Sequence, residues 1–216
     1  MLEHIHWLGH ASFLIDGPGG QVIYIDPWRL PEGSPAASLI LISHDHYDHF
    51  SVEDIRRVST PATVLLSNQR VAEALGQAEV LLPWQSVQPI ADVAVRAVPA
   101  YTPDSVYHAR EFGGLGFVIT MLRHEIYYAG DTGLIEEMSL IGCDIALLPV
   151  GGQYTMNYEE AAHALELLQP QTAVPMHYGS QVSDSRSSGK LFCQLAAAHG
   201  VEAVELPIEN PAFVES

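Results

Sequence analysis

The feature that most constrains this chain is an apolar run that leads directly into a cluster of histidines and aspartates. Residues 39–42 read Leu-Ile-Leu-Ile, which is typical of a strand buried on both faces. Alternation of side chains along extended backbone would point His44 and His46 to the same side. After Ser43, the cluster reads His44-Asp45-His46-Tyr47-Asp48-His49.

Three imidazoles and a carboxylate within six residues would be expensive to bury without partners. Imidazole and carboxylate are, however, ligands that Zn²⁺, Mn²⁺ and Fe ions accept. The alternative is an exposed polar turn, since a chain with 11 histidines brings some together by chance. The position at the end of a buried strand favours a metal site.

Two later segments repeat the pattern of an apolar strand that ends in a residue able to bind metal. Asp131 follows a strand and Gly130, and His177 follows the apolar run 173–176. Each segment alone is a weak signal, because a Gly-Asp-Thr turn is ordinary. Together with the first cluster, they supply the ligands for a two-metal site.

Composition limits the class of protein and its partners. The 216 residues suit one domain over 1–216, or one fold built from two similar halves. The formal charge of −17 disfavours a nucleic-acid substrate, because such a surface repels phosphate backbones. The unpaired spacing of Cys143 and Cys193, with no signal peptide or membrane-length apolar run, predicts a cytoplasmic protein that does not enter membranes. The sequence leaves the oligomeric state open, including a homo-oligomer.

Short strands with helices at intervals predict two sheets packed face to face with helices outside. Helices are expected to begin at Ser51, Asn68 and Asn157, each of which can cap a helix. Another helix is expected over residues 187–199 and a final strand over 201–206. Residues 102–115 form the longest irregular stretch containing glycine, and such loops often border a site.

These segments together resemble the metallo-β-lactamase superfamily. The most specific match is to its H-x-H-x-D-H motif, and the small cytosolic metal-dependent hydrolases that include relatives of L-ascorbate-6-phosphate lactonase are the most similar members. The resemblance spans residues 5–179. The other matching segments are Trp7-Leu8-Gly9-His10-Ala11-Ser12, Ile25-Asp26-Pro27, Tyr128-Ala129-Gly130-Asp131-Thr132, Leu148-Pro149-Val150-Gly151-Gly152 and Pro175-Met176-His177-Tyr178.

The resemblance implies an α+β fold, a four-layer αββα sandwich with metals at one edge of the sheets. It also implies two divalent ions, with zinc or manganese favoured and iron as a third option. His44 and His46 would bind the first ion, and Asp131 would bridge both ions. The second ion would be bound by Asp48, His49 and His177.

One position departs from the family pattern. The superfamily usually supplies a further histidine to the first metal from residues 98–102, and this chain has Tyr101 there. The best substitute is His108, a few residues later. If His108 is not a ligand, the first ion would be weakly held and the enzyme could operate with one ion.

The implied activity is metal-dependent hydrolysis of a small-molecule ester, lactone or phosphodiester by a metal-bridging hydroxide. Asp48 or Asp131 could relay a proton to the leaving group. Two alternatives remain: an iron-dependent enzyme that handles oxygen or sulfur on the same fold, and a non-enzymatic metal-binding protein.

Other residues in the matching segments have weaker predicted roles. His10 could act in catalysis by orienting substrate, or could support a ligand or the fold. Asp26 is expected to hydrogen-bond a ligating imidazole or nearby backbone. Tyr154 and Met156 could line a pocket. Tyr178 could donate to a developing oxyanion, although a structural role is equally plausible.

Overall fold

The computed structural model describes residues 1–103, 105–180 and 185–214. A six-stranded sheet is formed by the first part of the chain. Its strands are, in order across the sheet, β1 (Ile5–Gly9), β2 (Ser12–Asp16), β3 (Val22–Ile25), β4 (Leu39–Ile42), β5 (Val64–Ser67) and β6 (Glu79–Val80). The pairs up to β3 are antiparallel, and those from β3 to β6 are parallel.

A seven-stranded sheet is formed by the second part of the chain. Its strands are β7 (Ser86–Ile90), β8 (Val93–Pro99), β9 (Leu115–Met121), β10 (His124–Tyr128), β11 (Ile145–Pro149), β12 (Thr172–Met176) and β13 (Glu202–Ala203), which follow one another across the sheet. As in the first sheet, the pairing changes along the sheet. The pairs from β7 to β10 are antiparallel, and those from β10 to β13 are parallel. The two sheets therefore follow a similar plan.

The helices lie outside the two sheets. The first pair consists of α1 (Val52–Val58) and α2 (Gln69–Leu75), and the second of α3 (Tyr158–Leu168) and α4 (Ser188–Ala196), with a short α5 (Pro211–Val214) near the end of the chain. The predicted capping residues begin the first three helices. Ser51 and Asn68 accept from backbone amides, and Asn157 forms a capping box with Glu160.

Strand β4 shows why the layers stack. Leu39 and Leu41 face the core between the two sheets, whereas Ile40 and Ile42 pack with residues of α1 and α2. Burying each such side chain contributes about 1.5–3 kcal/mol, so the strand stabilises both interfaces. The αββα sandwich expected from the sequence is confirmed.

Two details differ from the sequence-based expectation. The last strand is only β13, because the chain beyond it leaves the sheet after one further hydrogen bond, from Val204 to Ala173. The predicted helix over 187–199 is α4 followed by a 3-10 turn over Ala197–His199. Of the helices formed by the described residues, none combines the length and the apolar character needed to cross a bilayer.

Candidate metal centre

The two sheets meet at the edge where β4, β10 and β12 end. The amide of Leu115 donates to the carbonyl of Ser43 at 3.0 Å, which joins one sheet to the other directly before the histidine cluster. Asp131 leaves the end of β10, and His177 leaves the end of β12. Residues from distant parts of the chain therefore converge at this edge.

Local backbone shape turns these residues inward. Gly130 has φ +66°, and a Cβ there would lie 2.8 Å from the carbonyl oxygen of Leu115, so only glycine fits before Asp131. His177 and His10 also have positive φ, at 58° and 53°. The amide of His177 donates to the carbonyl of His10 at 2.8 Å. Non-glycine residues in this region carry strain that surrounding contacts must offset, and such residues concentrate at functional sites.

The first group of ligand atoms is formed by three histidines and one aspartate. His46 Nδ1 lies 3.1 Å from His44 Nε2 and 3.1 Å from His108 Nε2. His108 Nε2 lies 3.3 Å from Asp131 Oδ2. Ligands at 2.0–2.1 Å from a tetrahedral zinc ion are separated by about 3.3 Å. The spacing matches such a site, and the four residues form a group able to hold an ion.

The second group lies directly beside Asp131 of the first group. Asp131 Oδ1 lies 3.3 Å from His49 Nε2, and Asp131 Oδ2 lies 3.2 Å from His177 Nε2. Asp48 Oδ2 lies 3.8 Å from His49 Nε2. His10 Nε2 also falls within this group of potential ligand atoms. Asp131 thus has one oxygen near each of two histidines while also reaching His108 of the first group.

Several of these atoms are buried without a hydrogen bond. Among the described residues, no hydrogen-bond partner is present for His49 Nε2, His177 Nε2 or Asp131 Oδ1. A buried polar atom without a partner is costly, and more so for a charged group. A cation would satisfy all three atoms, so the donor set fits bound metal.

Asp26 supports the cluster from behind. Its carboxylate accepts from the Ser43 amide at 2.7 Å, from His49 Nδ1 at 2.7 Å and from the Tyr128 hydroxyl at 2.6 Å. An imidazole that donates through Nδ1 presents Nε2 as the acceptor. Asp26 therefore orients His49 Nε2 toward the centre, and the expected supporting role agrees with this geometry.

His10 has a defined tautomer. Burial lowers the pKa of His10 to about 3, so its ring is neutral. Burial opposes ionisation of Asp48, but the hydrogen bond from His10 and the neighbouring His49 hold the pKa of Asp48 well below its usual value. An ionised Asp48 can only accept, so His10 Nε2 donates to Asp48 Oδ2 at 2.9 Å. His10 Nδ1 then accepts from Ser180 Oγ at 3.0 Å.

Asp131 is ionised as well. Burial opposes its charge, but His177 and His49 hold the pKa of Asp131 well below its usual value. A carboxylate at the meeting point of the two groups carries the negative charge that a pair of divalent cations requires.

The structure distinguishes His108 from Tyr101. His108 points into the first group, and its Nδ1 lies 3.1 Å from the carbonyl oxygen of Tyr154, which leaves Nε2 facing the cluster. The hydroxyl of Tyr101 instead donates to Glu137 at 3.1 Å, and its ring faces Arg110. The geometry therefore favours His108 at the position left open by the family pattern. Asp104, in the same loop, lies outside the described residues.

Two weaker expectations do not agree with the geometry. The Tyr178 hydroxyl donates to Glu205 at 3.0 Å and its ring stacks on Trp7, so it cannot serve as an oxyanion donor in this arrangement. Met156 is fully buried in the core and does not line the cavity. Both side chains pack in the interior, Tyr178 against Trp7 and Met156 within the core between the sheets.

A cavity of about 510 Å³ opens above the cluster. Its floor contains His46, Asp48, His108, Asp131 and His177, so both candidate ion positions are accessible from it. The sequence interpretation assigned no role to three of the lining residues, although two of them neighbour identified ligands. These three are Tyr47, Tyr107 and Gln153.

The αββα fold and the histidine and aspartate cluster are features of the metallo-β-lactamase superfamily, and comparison with known proteins supports this assignment. The model of the beta-lactamase superfamily domain matches residues 4–177. A crystal structure of a protein from Parabacteroides distasonis superposes with a TM-score of 0.81 at 29% identity, covering 94% of this chain and 93% of that one. The resemblance to the metallo-β-lactamase superfamily is confirmed.

Sequence relatives narrow the class further. The chain is 35% identical over 193 residues to a UPF0173 metal-dependent hydrolase of Pyrobaculum arsenaticum, covering 82% of this chain and 84% of that protein. It is 33% identical over 223 residues to a UPF0173 metal-dependent hydrolase of Thermoplasma volcanium, covering 96% of this chain and 97% of that protein. The chain belongs to the UPF0173 family of metal-dependent hydrolases within the beta-lactamase superfamily.

Proposed function

We propose that this protein hydrolyses a small-molecule ester, lactone or phosphodiester with two divalent ions bound in the cluster. One observation carries the proposal: two adjacent groups of ligand atoms open onto a single cavity, and Asp131 of the first group lies within 3.3 Å of His49 and His177 of the second. The first ion would be held by His44, His46 and His108, and the second by Asp48, His49 and His177. Asp131 would serve both, and zinc or manganese, then iron, are the ions that this donor set accepts.

Two such cations would supply Lewis acidity and lower the pKa of a bound water toward neutrality. The chain's own residues perform the remaining tasks. Asp48 and Asp131 face the cavity as carboxylates, so either can accept a proton and return it to the leaving group. His10 keeps Asp48 in place through its hydrogen bond and acts as a positioning residue.

Three expectations about the protein's environment accompany this proposal. The acidic surface, with a formal charge of −17, favours small substrates over nucleic acid. We also propose that the protein works in the cytoplasm and does not associate with membranes. A homo-oligomer is also compatible with the proposal.

The test combines metal analysis with activity. Elemental analysis of the purified protein should give two ions per chain, and chelation should abolish hydrolysis of chromogenic esters, lactones and phosphodiesters. His46→Ala should remove at least one ion and reduce turnover by more than 100-fold. His163→Ala is the control, because His163 is exposed on α3. Normal turnover in metal-stripped protein would exclude the proposal.

A further inference from the structure

Three tyrosines form the upper walls of the cavity. Tyr107 and Tyr154 lie on one side, with ring centroids 5.2 Å apart at 72°. Tyr47 lies in the histidine motif and packs edge-on against Trp28 at 6.0 Å. All three tyrosines line the same cavity as the metal-binding residues.

The mouth of this cavity exposes aromatic side chains. Tyr47 is 69% exposed and Tyr107 is 56% exposed, and both line the cavity. Large apolar side chains left in water and grouped around an opening indicate a surface that a ligand covers. A tyrosine ring offers a flat apolar face, and aromatic pairs are worth about 0.5–1.5 kcal/mol beyond burial.

The cavity offers little to a substrate with extra negative charge. Its described lining contains neither lysine nor arginine. Arg70 is paired with Asp45 at 2.8 Å, and Arg110 is paired with Glu137 at 2.8 Å. The polar group beside the tyrosines is the neutral amide of Gln153. Beyond the reacting group itself, the described walls therefore favour an uncharged ligand.

We propose that the substrate is an uncharged ester or lactone whose acyl part carries an aryl group, bound between Tyr47 and the pair Tyr107–Tyr154. This proposal rests on the proposed hydrolase function. In the reaction, a water-derived oxygen bonds to the carbonyl carbon, and the bond from that carbon to the alkoxy oxygen breaks. The electron pair leaves with the alkoxy oxygen, which takes up one proton. The products are an acid and an alcohol from an ester, or a single hydroxy acid from a lactone.

Substrate preference tests the proposal directly. The metal-loaded protein is assayed with 4-nitrophenyl phenylacetate, 4-nitrophenyl acetate and bis(4-nitrophenyl) phosphate, each normalised to its uncatalysed hydrolysis. We expect kcat/KM for the aryl ester to exceed that for acetate and for the phosphodiester by at least tenfold. Equal values for the two esters, or a preference for the phosphodiester, would overturn the proposal.

Variants of the walls connect this preference to the tyrosines. Tyr107→Ala and Tyr154→Ala should each reduce the ratio of phenylacetate to acetate hydrolysis by about fivefold or more, mainly through KM. Tyr154→Ala keeps the backbone carbonyl that contacts His108 and Thr102. The control is Leu140→Ala, an exposed apolar residue that does not line the cavity and should change neither rate. A ratio unchanged in both tyrosine variants would contradict the proposal.

A binding measurement separates this proposal from the hydrolase function. Saturation-transfer NMR with 4-phenyl-2-butanone, an uncharged aryl ketone that cannot be hydrolysed, should show contact in the full chain and weaker binding in Tyr107→Ala and Tyr154→Ala. If this result holds but no ester is hydrolysed, the aryl site stands and the proposed hydrolase function fails. If esters are hydrolysed but the ketone binds the variants as tightly as the unmodified protein, the aryl site fails.

Discussion

His10 and Asp48 are 38 residues apart in sequence, yet the imidazole Nε2 lies 2.9 Å from the carboxylate Oδ2 and both side chains are buried. Ser180 holds the other ring nitrogen at 3.0 Å. This arrangement links the start of the chain, the histidine motif and the segment after β12 in one row of hydrogen bonds. It defines how Asp48 faces the second candidate ion position.

The first prediction concerns this positioning contact. His10→Ala should reduce kcat/KM and the affinity for the second ion by about 10–100-fold, which is the range for residues that orient metal ligands. Isothermal titration of metal-free protein with Zn²⁺ measures the affinity separately from turnover. His10→Gln, whose amide can still donate, should recover part of the loss. A purely structural role would instead lower the melting temperature with no change in metal affinity.

The second prediction distinguishes His108 from Tyr101 in solution. His108→Ala should reduce the metal content from two ions to about one per chain, because it removes a donor from the first group. Tyr101→Phe is the matched comparison and should retain both ions, since its hydroxyl contacts Glu137 rather than the cluster. Elemental analysis after dialysis gives the counts. The reverse pattern would show that Tyr101 is the ligand.

A third prediction addresses the hydrogen bonds of Asp26. Tyr128→Phe should lower the free energy of unfolding by about 1.5–3 kcal/mol, because it removes a buried donor to a carboxylate. Tyr127→Phe, at the neighbouring position, is a close control. The buried Tyr127 hydroxyl has no hydrogen-bond partner among the described residues, so its removal should not lower the free energy of unfolding. Urea unfolding of both variants measures the difference. Equal destabilisation would contradict the assigned role of Asp26.

The fourth prediction is a pH dependence of stability at His6. Partial burial lowers the pKa of His6, but hydrogen bonds with Glu209 and Asp16 outweigh it and raise the pKa above its usual value. Because the pKa of His6 is raised in the folded state, protonated His6 stabilises the fold. This stabilisation is fully present below pH about 6.5 and is lost as the pH rises through the pKa of His6 in the folded protein. His6→Ala should therefore lower the urea midpoint more at pH 5.5 than at pH 8.5.

The comparison across pH separates charge from packing, because packing lost with the ring is the same at both values. An identical loss at pH 5.5 and pH 8.5 would show that the ion pairs with Glu209 and Asp16 do not contribute to stability.

The sequence by itself determined the features that depend on neighbouring residues. Burial on both faces follows from the apolar run of β4, and helix starts follow from capping residues such as Ser51, because both effects act over a few residues. The motif from His44 to His49 was also recognisable, since its donors are concentrated in one turn. The order of strands and helices predicted the two packed sheets, and the ends of two apolar strands indicated Asp131 and His177. The family resemblance then implied which ion each of these residues would bind.

Only the tertiary structure decided which residues from distant segments meet. His108 and Tyr101 were both open from the sequence, and the path of the loop after β8 turns the histidine inward and the tyrosine toward Glu137. The same holds for Tyr178, whose hydroxyl turns toward Glu205. The directions of these side chains depend on how the two sheets pack against each other. Such packing involves the whole chain, so local sequence patterns do not predict it.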